Sequence, residues 1–280
     1  MHLASYLFLT VFFAFAFAGE TRLHRLPKRI YNGDLVSQGN APYAVFLQSQ
    51  LSSGSKTGGG VIISPKHILT AAHNVVDGNN KPLAASNVLI GYGSELKSKQ
   101  LSVSGTKVTI HPNFFANGKR NTTFDIAVVE IQGFSSSVKT SQLKIYSGNL
   151  QPGQKLLTVG WGKAEPNAVL LDQLRSALMT VGNEKDCSAY ISNYEPGNGP
   201  QVCSFAVSEQ KTGPNQGDAG SAIVISQNGQ LKLAGVTSFL TYFGNINSEN
   251  TKVAHLDISA AYFIDFIASA TGISTNNLSG

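Results

Sequence analysis

The chain has 280 residues, of which 42% are hydrophobic and only 13% are charged, and its formal net charge is +5. That share of apolar side chains excludes an intrinsically disordered protein. The lysine and arginine residues are scattered rather than clustered, so the positive charge does not indicate a nucleic-acid partner. The length fits one large β-rich domain preceded by a processed N-terminal segment.

The first predicted element is an almost unbroken apolar run at residues 3–18. It ends in A-F-A, a small-x-small pattern typical of signal peptide cleavage. The run is shorter than the roughly 20 apolar residues that a membrane span requires, although a membrane anchor is the alternative interpretation. We therefore expect a signal peptide at residues 1–18, a secreted extracellular protein and no membrane association.

A short basic segment at residues 19–29 follows the apolar run and ends in Lys28 and Arg29. This dibasic pair is a candidate site for a processing protease that cuts after Arg29. Cleavage there gives a mature chain that begins at Ile30. We expect a folded domain at residues 30–270 and a C-terminal tail at residues 271–280.

The mature chain consists mainly of short alternating apolar runs separated by turn residues, a pattern typical of antiparallel β-structure. Asn228-Gly229 predicts a type I′ turn between two of these runs. Residues 259–270 are the exception, because their apolar side chains recur at helical spacing. The predicted strands are residues 43–51, 59–64, 66–71, 87–92, 108–110, 126–131, 155–159, 174–181, 222–226 and 231–234. This order of elements predicts an all-β barrel domain with a C-terminal α-helix.

The chain contains two cysteines, Cys187 and Cys203. In a secreted protein an even pair predicts one disulfide rather than two free thiols. No histidine or cysteine lies at metal-ligand spacing beside them, so we expect no metal site. The sequence also has no phosphate-binding loop, and we expect no cofactor. Asn121 and Asn277 each begin an Asn-x-Ser/Thr sequence and are candidate glycosylation sites.

Three short stretches carry the functional signal. The sequence L-T-A-A-H ends in His73, Asp125 begins an apolar run, and residues 217–221 have the sequence G-D-A-G-S. Taken singly, the histidine has an ordinary structural interpretation as a hydrogen-bonding residue and the aspartate as a turn residue. In this chain order, the three stretches together resemble the trypsin/chymotrypsin serine-protease family.

Further motifs extend this resemblance over nearly the whole mature chain. Residues 28–33 resemble the zymogen activation junction, and H-P-N-F at residues 111–114 resembles the loop before the aspartate strand. V-G-W-G at residues 159–162 and T-S-F at residues 237–239 resemble a strand end and the strand beside the substrate channel. Cys187 and Cys203 match a short-range disulfide of the family. The resemblance implies two six-stranded antiparallel β-barrels with the site between them.

The resemblance also assigns a role to each matching residue. His73 corresponds to the general base, and Asp125 to the carboxylate that orients it. The backbone N–H groups of Gly217 and Ala219 correspond to the oxyanion hole.

Activation is expected to follow cleavage after Arg29. The resemblance implies that the new Ile30 ammonium group then pairs with the Asp218 carboxylate. A buried acid requires such a partner.

The sequence departs from the family at the nucleophile, because Ala219 stands where the family has serine. Ser221 and Ala222 stand where it has glycine and proline. The disulfide that normally braces the histidine loop is also absent, with Gly58 and Asn74 at the two cysteine positions.

The expected specificity pocket departs from the family as well. Gly213 aligns with the aspartate of trypsin, and Ser238 lies on the pocket strand. Phe239 replaces a tryptophan, and Leu240 replaces a glycine at the pocket mouth. We expect Leu240 to narrow the pocket.

These departures predict a secreted pseudoprotease that binds a protein or peptide in the former substrate cleft, and we expect a monomer. Two alternatives stay open at this point. The chain is an active serine endopeptidase with a displaced nucleophile such as Ser221, or it is a recently inactivated protease whose binding pocket is intact. Removing the nucleophile from a Ser-His-Asp hydrolase costs roughly 10⁶-fold in kcat, which favours the inactive form.

Overall fold

A computed structural model describes residues 33–163, 169–192, 194–197, 199–207, 212–243 and 252–280. The predicted signal peptide, the basic segment, Arg29 and Ile30 lie outside these described residues. Within the described part of the chain, no helix is both long enough and apolar enough to cross a membrane.

The first half of the chain forms a closed antiparallel barrel, preceded by a two-residue strand, β1 (Asp34–Leu35). Its six strands are β2 (Ala44–Leu51), β3 (Gly54–Ser64), β4 (His67–Thr70), β5 (Val88–Tyr92), β6 (Leu101–Ile110) and β7 (Ala127–Ile131). They pair in the order β2-β3-β4-β7-β6-β5, and pairing of β5 with β2 closes the barrel. The end of β4 lies beside the start of β7, because Thr70 pairs with Ala127.

The second half forms another antiparallel barrel of six strands, with β1 added at its side. The strands are β8 (Lys155–Gly160), β9 (Arg175–Val181), β10 (Gln201–Ala206), β11 (Ala222–Gln227), β12 (Gln230–Phe243) and β13 (Lys252–Ser259). The barrel is closed because β8 pairs with both β9 and β11. The short helices are α1 (Glu184–Cys187), α2 (Ile264–Thr271) and α3 (Thr275–Leu278). The predicted fold class, two six-stranded barrels with a C-terminal helix, is confirmed.

Individual elements differ from the sequence prediction where side chains depart from simple alternation. Strands β10 and β13 were not predicted, since buried polar residues of both strands, Ser204, His255 and Asp257, interrupt the apolar pattern. Helix α2 starts five residues later than predicted, because β13 continues to Ser259 and pairs there with Gly235. The type I′ turn is present, with positive φ at both Asn228 (51°) and Gly229 (75°).

The largest group of buried apolar residues extends across both barrels. Val61 and Ile126 of the first barrel belong to the same cluster as Val236 and Ile258 of the second. This shared cluster joins the two barrels along a seam, defined by the apolar residues that both barrels contribute to it.

Residues 271–280, the expected C-terminal tail, pack on the folded domain. Leu278 is 2% exposed and belongs to the shared core. Its carbonyl oxygen accepts a hydrogen bond from the N–H of Ile145 at 2.8 Å. The expected disulfide is present and joins α1 to β10, with an S–S distance of 2.06 Å between Cys187 and Cys203.

Candidate active site

The paired barrel strands bring His73 and Asp125 together. His73 lies in a short 3₁₀ turn (Ala72–Val75) just after β4, and Asp125 lies just before β7. His73 Nδ1 is 2.7 Å from Asp125 Oδ2, and the backbone N–H of His73 donates to Oδ1 at 2.8 Å. Asp125 is fully buried, whereas the His73 side chain is 20% exposed. A proton held on Nδ1 by this carboxylate leaves Nε2 as the proton acceptor.

A third group, from the second barrel, fixes the carboxylate. Ser238 of β12 donates its hydroxyl proton to Asp125 Oδ2 at 2.5 Å and is itself buried. Its side chain therefore orients the His73–Asp125 pair from the second barrel. The expected place of Ser238 in the specificity pocket stays a prediction.

The Gly217–Ala219 segment lies close to the histidine turn. The Ala219 carbonyl accepts from the Gly59 N–H at 2.8 Å and from Asn74 Nδ2 at 2.7 Å. Gly217 has a φ of +96°, a conformation that favours glycine. Among the described residues, neither the Gly217 N–H nor the Ala219 N–H has a hydrogen-bond acceptor. Within that part of the chain these two backbone donors can therefore serve an oxyanion, as an oxyanion hole requires.

Asp218 is buried between these two residues and is held by backbone groups. Its carboxylate accepts from the N–H of Gly162 at 2.7 Å and from the N–H of Asn215 at 2.9 Å. Burial raises the pKa of Asp218 to about 6, and the two backbone hydrogen bonds offset only part of that shift. The expected partner, Ile30, lies outside the described residues, so that ion pair stays a prediction.

Comparisons with known proteins agree with this geometry. The family model described as Trypsin matches residues 30–267. The chain belongs to the trypsin family.

Individual family members are similar over most of their length. Granzyme B of Rattus norvegicus is 28% identical over 230 residues, which cover 80% of this chain and 87% of the relative. Chymotrypsin-like elastase family member 1 of Bos taurus is 27% identical over 86% of this chain and 90% of its own length. A trypsin of Saccharopolyspora erythraea is 27% identical over 75% of this chain and 86% of its own.

Ser221, the candidate displaced nucleophile, is 3% exposed. Its hydroxyl lies directly against Gly59, so closely that a Cβ atom added to that glycine would be 2.1 Å from Oγ. A side chain packed in this way is not presented at a cleft surface. The structure does not bring Ser221 and His73 into hydrogen-bond contact.

Two of the expected specificity residues, Gly213 and Leu240, lie beside His255, a buried histidine to which the sequence pattern assigned no role. A Cβ atom added to Gly213 would be 2.5 Å from His255 Nε2, so the ring of His255 occupies the space next to this glycine. Leu240 pairs with His255 between β12 and β13 and is half-buried. The Phe239 ring is 5.1 Å from the His73 ring and is 36% exposed. Narrowing of the pocket by Leu240 stays a prediction.

Two candidate residues of the sequence analysis concern modification rather than chemistry. Asn277 of α3 is exposed, whereas Asn121 is half-buried and accepts a hydrogen bond from the Thr123 N–H at 3.1 Å. Among the described residues, no three histidine, cysteine or acidic side chains are grouped closely enough to hold a metal ion.

Proposed function

We propose that this trypsin-family protein is secreted and binds a protein or peptide segment in the cleft between its barrels without hydrolysing it. One observation carries the proposal: Ala219, at the nucleophile position, has no attacking atom. The remaining parts of a serine-protease site support retention of the binding cleft. They are the His73–Asp125 pair and the N–H groups of Gly217 and Ala219, which have no hydrogen-bond acceptor in the part of the chain that the structure describes.

The size of the effect supports loss of activity rather than a slow enzyme. Loss of the nucleophile in a Ser-His-Asp hydrolase costs roughly 10⁶-fold in kcat, about 8 kcal/mol of transition-state stabilisation. An oxyanion hole and a binding cleft alone leave about 10³- to 10⁴-fold acceleration over water. The acceleration that remains is too small for a working endopeptidase.

The decisive experiment compares the mature chain, starting at Ile30, with its Ala219→Ser variant. We expect no covalent labelling of the natural chain by an active-site fluorophosphonate and no cleavage of peptide substrates. Stoichiometric labelling of the natural chain at any serine would contradict the proposal. His73→Ala in the Ala219→Ser background is the matched control, because it removes the general base while restoring the hydroxyl.

The Ala219→Ser variant also distinguishes a protease site that lost only its nucleophile from one that is blocked in further ways. Restored labelling and hydrolysis indicate a protease pocket that lost only its nucleophile. Continued inactivity indicates additional blocks, of which Leu240 and Ser221 are the candidates. An active displaced nucleophile is disfavoured by the burial of Ser221, and Ser221→Ala tests it directly in any preparation that shows hydrolysis.

Secretion, processing and partner binding belong to the same proposal. The apolar run at residues 3–18 supports export, and the dibasic pair supports cleavage after Arg29. N-terminal sequencing of the protein recovered from culture medium is expected to begin at Ile30.

Capture of partners from the secreted fraction by the mature chain is expected to weaken with Phe239→Ala, since Phe239 is exposed beside His73. Leu178→Ala, at an exposed apolar residue of β9, is the control.

A further inference from the structure

The turn that carries His73 is held at its carbonyl groups by the β2–β3 hairpin. Lys56 Nζ donates to the His73 carbonyl at 2.6 Å and also to the Val76 carbonyl. Ser49 Oγ donates to the Asn74 carbonyl at 2.6 Å. Ser49 and Lys56 are a directly opposed pair of β2 and β3, so their two side chains act from one place in the sheet.

Asn74 extends these contacts to the other side of the cleft. Its side-chain Nδ2 donates to the Ala219 carbonyl at 2.7 Å and to Thr70 Oγ1 at 3.1 Å. The amide fills the space beside Gly58, because a Cβ atom added to that glycine would be 2.4 Å from Asn74 Nδ2. The same residue that follows His73 therefore fixes the backbone at position 219.

We propose that Ser49, Lys56 and Asn74 form a non-covalent brace, the histidine brace, that positions His73 against Asp125 and holds Ala219 beside the histidine turn. These are positioning residues, since they act through the backbone of the two segments. The inference goes beyond the proposed function and does not depend on whether the chain hydrolyses peptides. It also describes how the histidine turn is held at the place where the family resemblance puts Gly58 and Asn74 in the positions of two cysteines.

The energetics favour a positioning role for Lys56 over that of an ordinary surface lysine. The carbonyl groups at the end of a helical turn have no intrahelical partner, and a side-chain donor satisfies them. Hydrogen bonds from a charged donor are stronger than neutral ones. Burial and the nearby Arg120 lower the pKa of Lys56, whereas Asp77 and Asp125 oppose that change. A lysine without a structural task would extend into water and avoid this loss of solvation.

The test observes the His73 ring directly. In the mature chain with ¹⁵N-labelled histidine, the hydrogen-bonded Nδ1–H of His73 is expected to give a downfield proton resonance, assigned by its absence in His73→Gln. Lys56→Met is expected to abolish this resonance, and Lys56→Arg, which keeps a charged donor, to retain it. Lys155→Met, at an exposed lysine of β8, is the matched control and is expected to change nothing.

In the lysine experiment, either of two outcomes would overturn the brace. One is an unaltered chain that lacks the resonance, and the other is a folded Lys56→Met chain that keeps it unchanged. Should Lys56→Met fail to fold, Ser49→Ala removes a single hydrogen bond and is expected to increase exchange of the His73 Nδ1–H with water. Unchanged exchange contradicts the proposal.

The contribution of Asn74 is tested by the isosteric change Asn74→Asp, which is expected to shift the backbone amide resonances of Ala219 and Gly220. Unshifted resonances would exclude that contribution.

A disulfide cross-link distinguishes a positioning effect of Lys56 on the His73 turn from an effect of the Lys56 charge. Gly58→Cys with Asn74→Cys in the Lys56→Met chain places two thiols where the Asn74 amide now touches Gly58. If the brace acts by holding the turn, formation of this cross-link is expected to restore the His73 resonance. A cross-linked chain, verified by mass, that still lacks the resonance would assign the effect to the lysine charge and contradict the brace.

Discussion

Two titratable residues of β13 are buried on one face of the second barrel, where water does not reach them. His255 is 2% exposed and Asp257 is not exposed at all. Burial lowers the pKa of His255 to about 4 and raises that of Asp257 to about 7, although the Ser204 hydroxyl, 2.9 Å from Asp257 Oδ2, opposes the second shift. Within the described residues, His255 Nδ1 and Asp257 Oδ1 have no hydrogen-bond partner. Both residues therefore favour the neutral form, with opposite consequences for stability as pH changes.

Asp257→Asn is expected to change the pH dependence of stability. Between the unfolded pKa near 4 and the folded pKa of about 7, the folded natural chain binds more protons than the unfolded chain. Its stability from this group is therefore greatest at low pH and falls as pH rises, by a few kcal/mol in all. The Asp257→Asn variant has no carboxyl group at this position and does not lose stability in this way. The Tm of the variant minus the Tm of the natural chain is therefore expected to increase from pH 4 to pH 8.

Differential scanning calorimetry at several pH values measures this difference. Asp265→Asn, at an exposed aspartate of α2, is the control for removal of one carboxylate. A difference in Tm that is constant across the pH range would show that Asp257 ionises in the folded chain as it does in water.

At the scale of the element, the disulfide fixes the short helix α1 to strand β10. Cys187 ends the single turn of α1, and Cys203 lies in β10, 16 positions along the chain. Both cysteines are fully buried in a small cluster with Tyr194 and Ala254. A one-turn helix is not stable by itself, so its position depends on this link and on the cluster around it.

Replacing Cys187 and Cys203 together by alanine is expected to lower the free energy of unfolding by about 3 kcal/mol, the loop-closure value for a loop of roughly 15 residues. Urea unfolding of the oxidised natural chain and the double variant measures the difference. The natural chain under reducing conditions is the second comparison and should approach the variant. Equal unfolding midpoints for all three samples would contradict a stabilising role for the bond.

For the whole molecule, the seam between the barrels is the element that assembles the site. Helix α2 follows the second barrel but packs on the first, where the rings of Phe263 and Phe266 lie 5.1 and 4.9 Å from His111. The Phe124 ring, beside Asp125, joins the same aromatic group at 5.8 Å from Phe263. The C-terminal helix thus supports the segment that presents the carboxylate to His73.

Phe263→Ala is expected to lower the free energy of unfolding by about 3–5 kcal/mol, because Phe263 is 3% exposed at the centre of this seam. Trp161 is the single tryptophan of the chain, and its Nε1–H donates across the seam to the Glu95 carbonyl at 2.8 Å. Trp161 fluorescence therefore reports the seam, and circular dichroism reports the barrels.

The two signals are expected to change in one transition, shifted in the variant to lower denaturant concentration. Tyr262→Ala is the control, since Tyr262 neighbours Phe263 but is 52% exposed. Equal loss of stability in both variants would show that burial at the seam is not the cause.

The sequence by itself determined the fold class, the family and the identity of the chemical groups. Alternating runs, Asn228-Gly229 and the ordered motifs around His73, Asp125 and Asp218 are local patterns, and each depends on residues adjacent in the chain. Ala219 needs no structure to be recognised as a residue without a nucleophilic atom.

Only the tertiary structure decided which distant side chains support those motifs. The Ser238 hydroxyl on Asp125, the Lys56 ammonium group on the His73 turn and the His255 ring against Gly213 join residues that are 17 to 113 positions apart. Strand pairing in two closed barrels creates these contacts, and a single serine, lysine or histidine carries no periodic signal of the partner it will meet. Strands β10 and β13 could not be predicted from the sequence for the same reason. They carry buried polar residues, and the place of these residues in the core depends on neighbours from other strands.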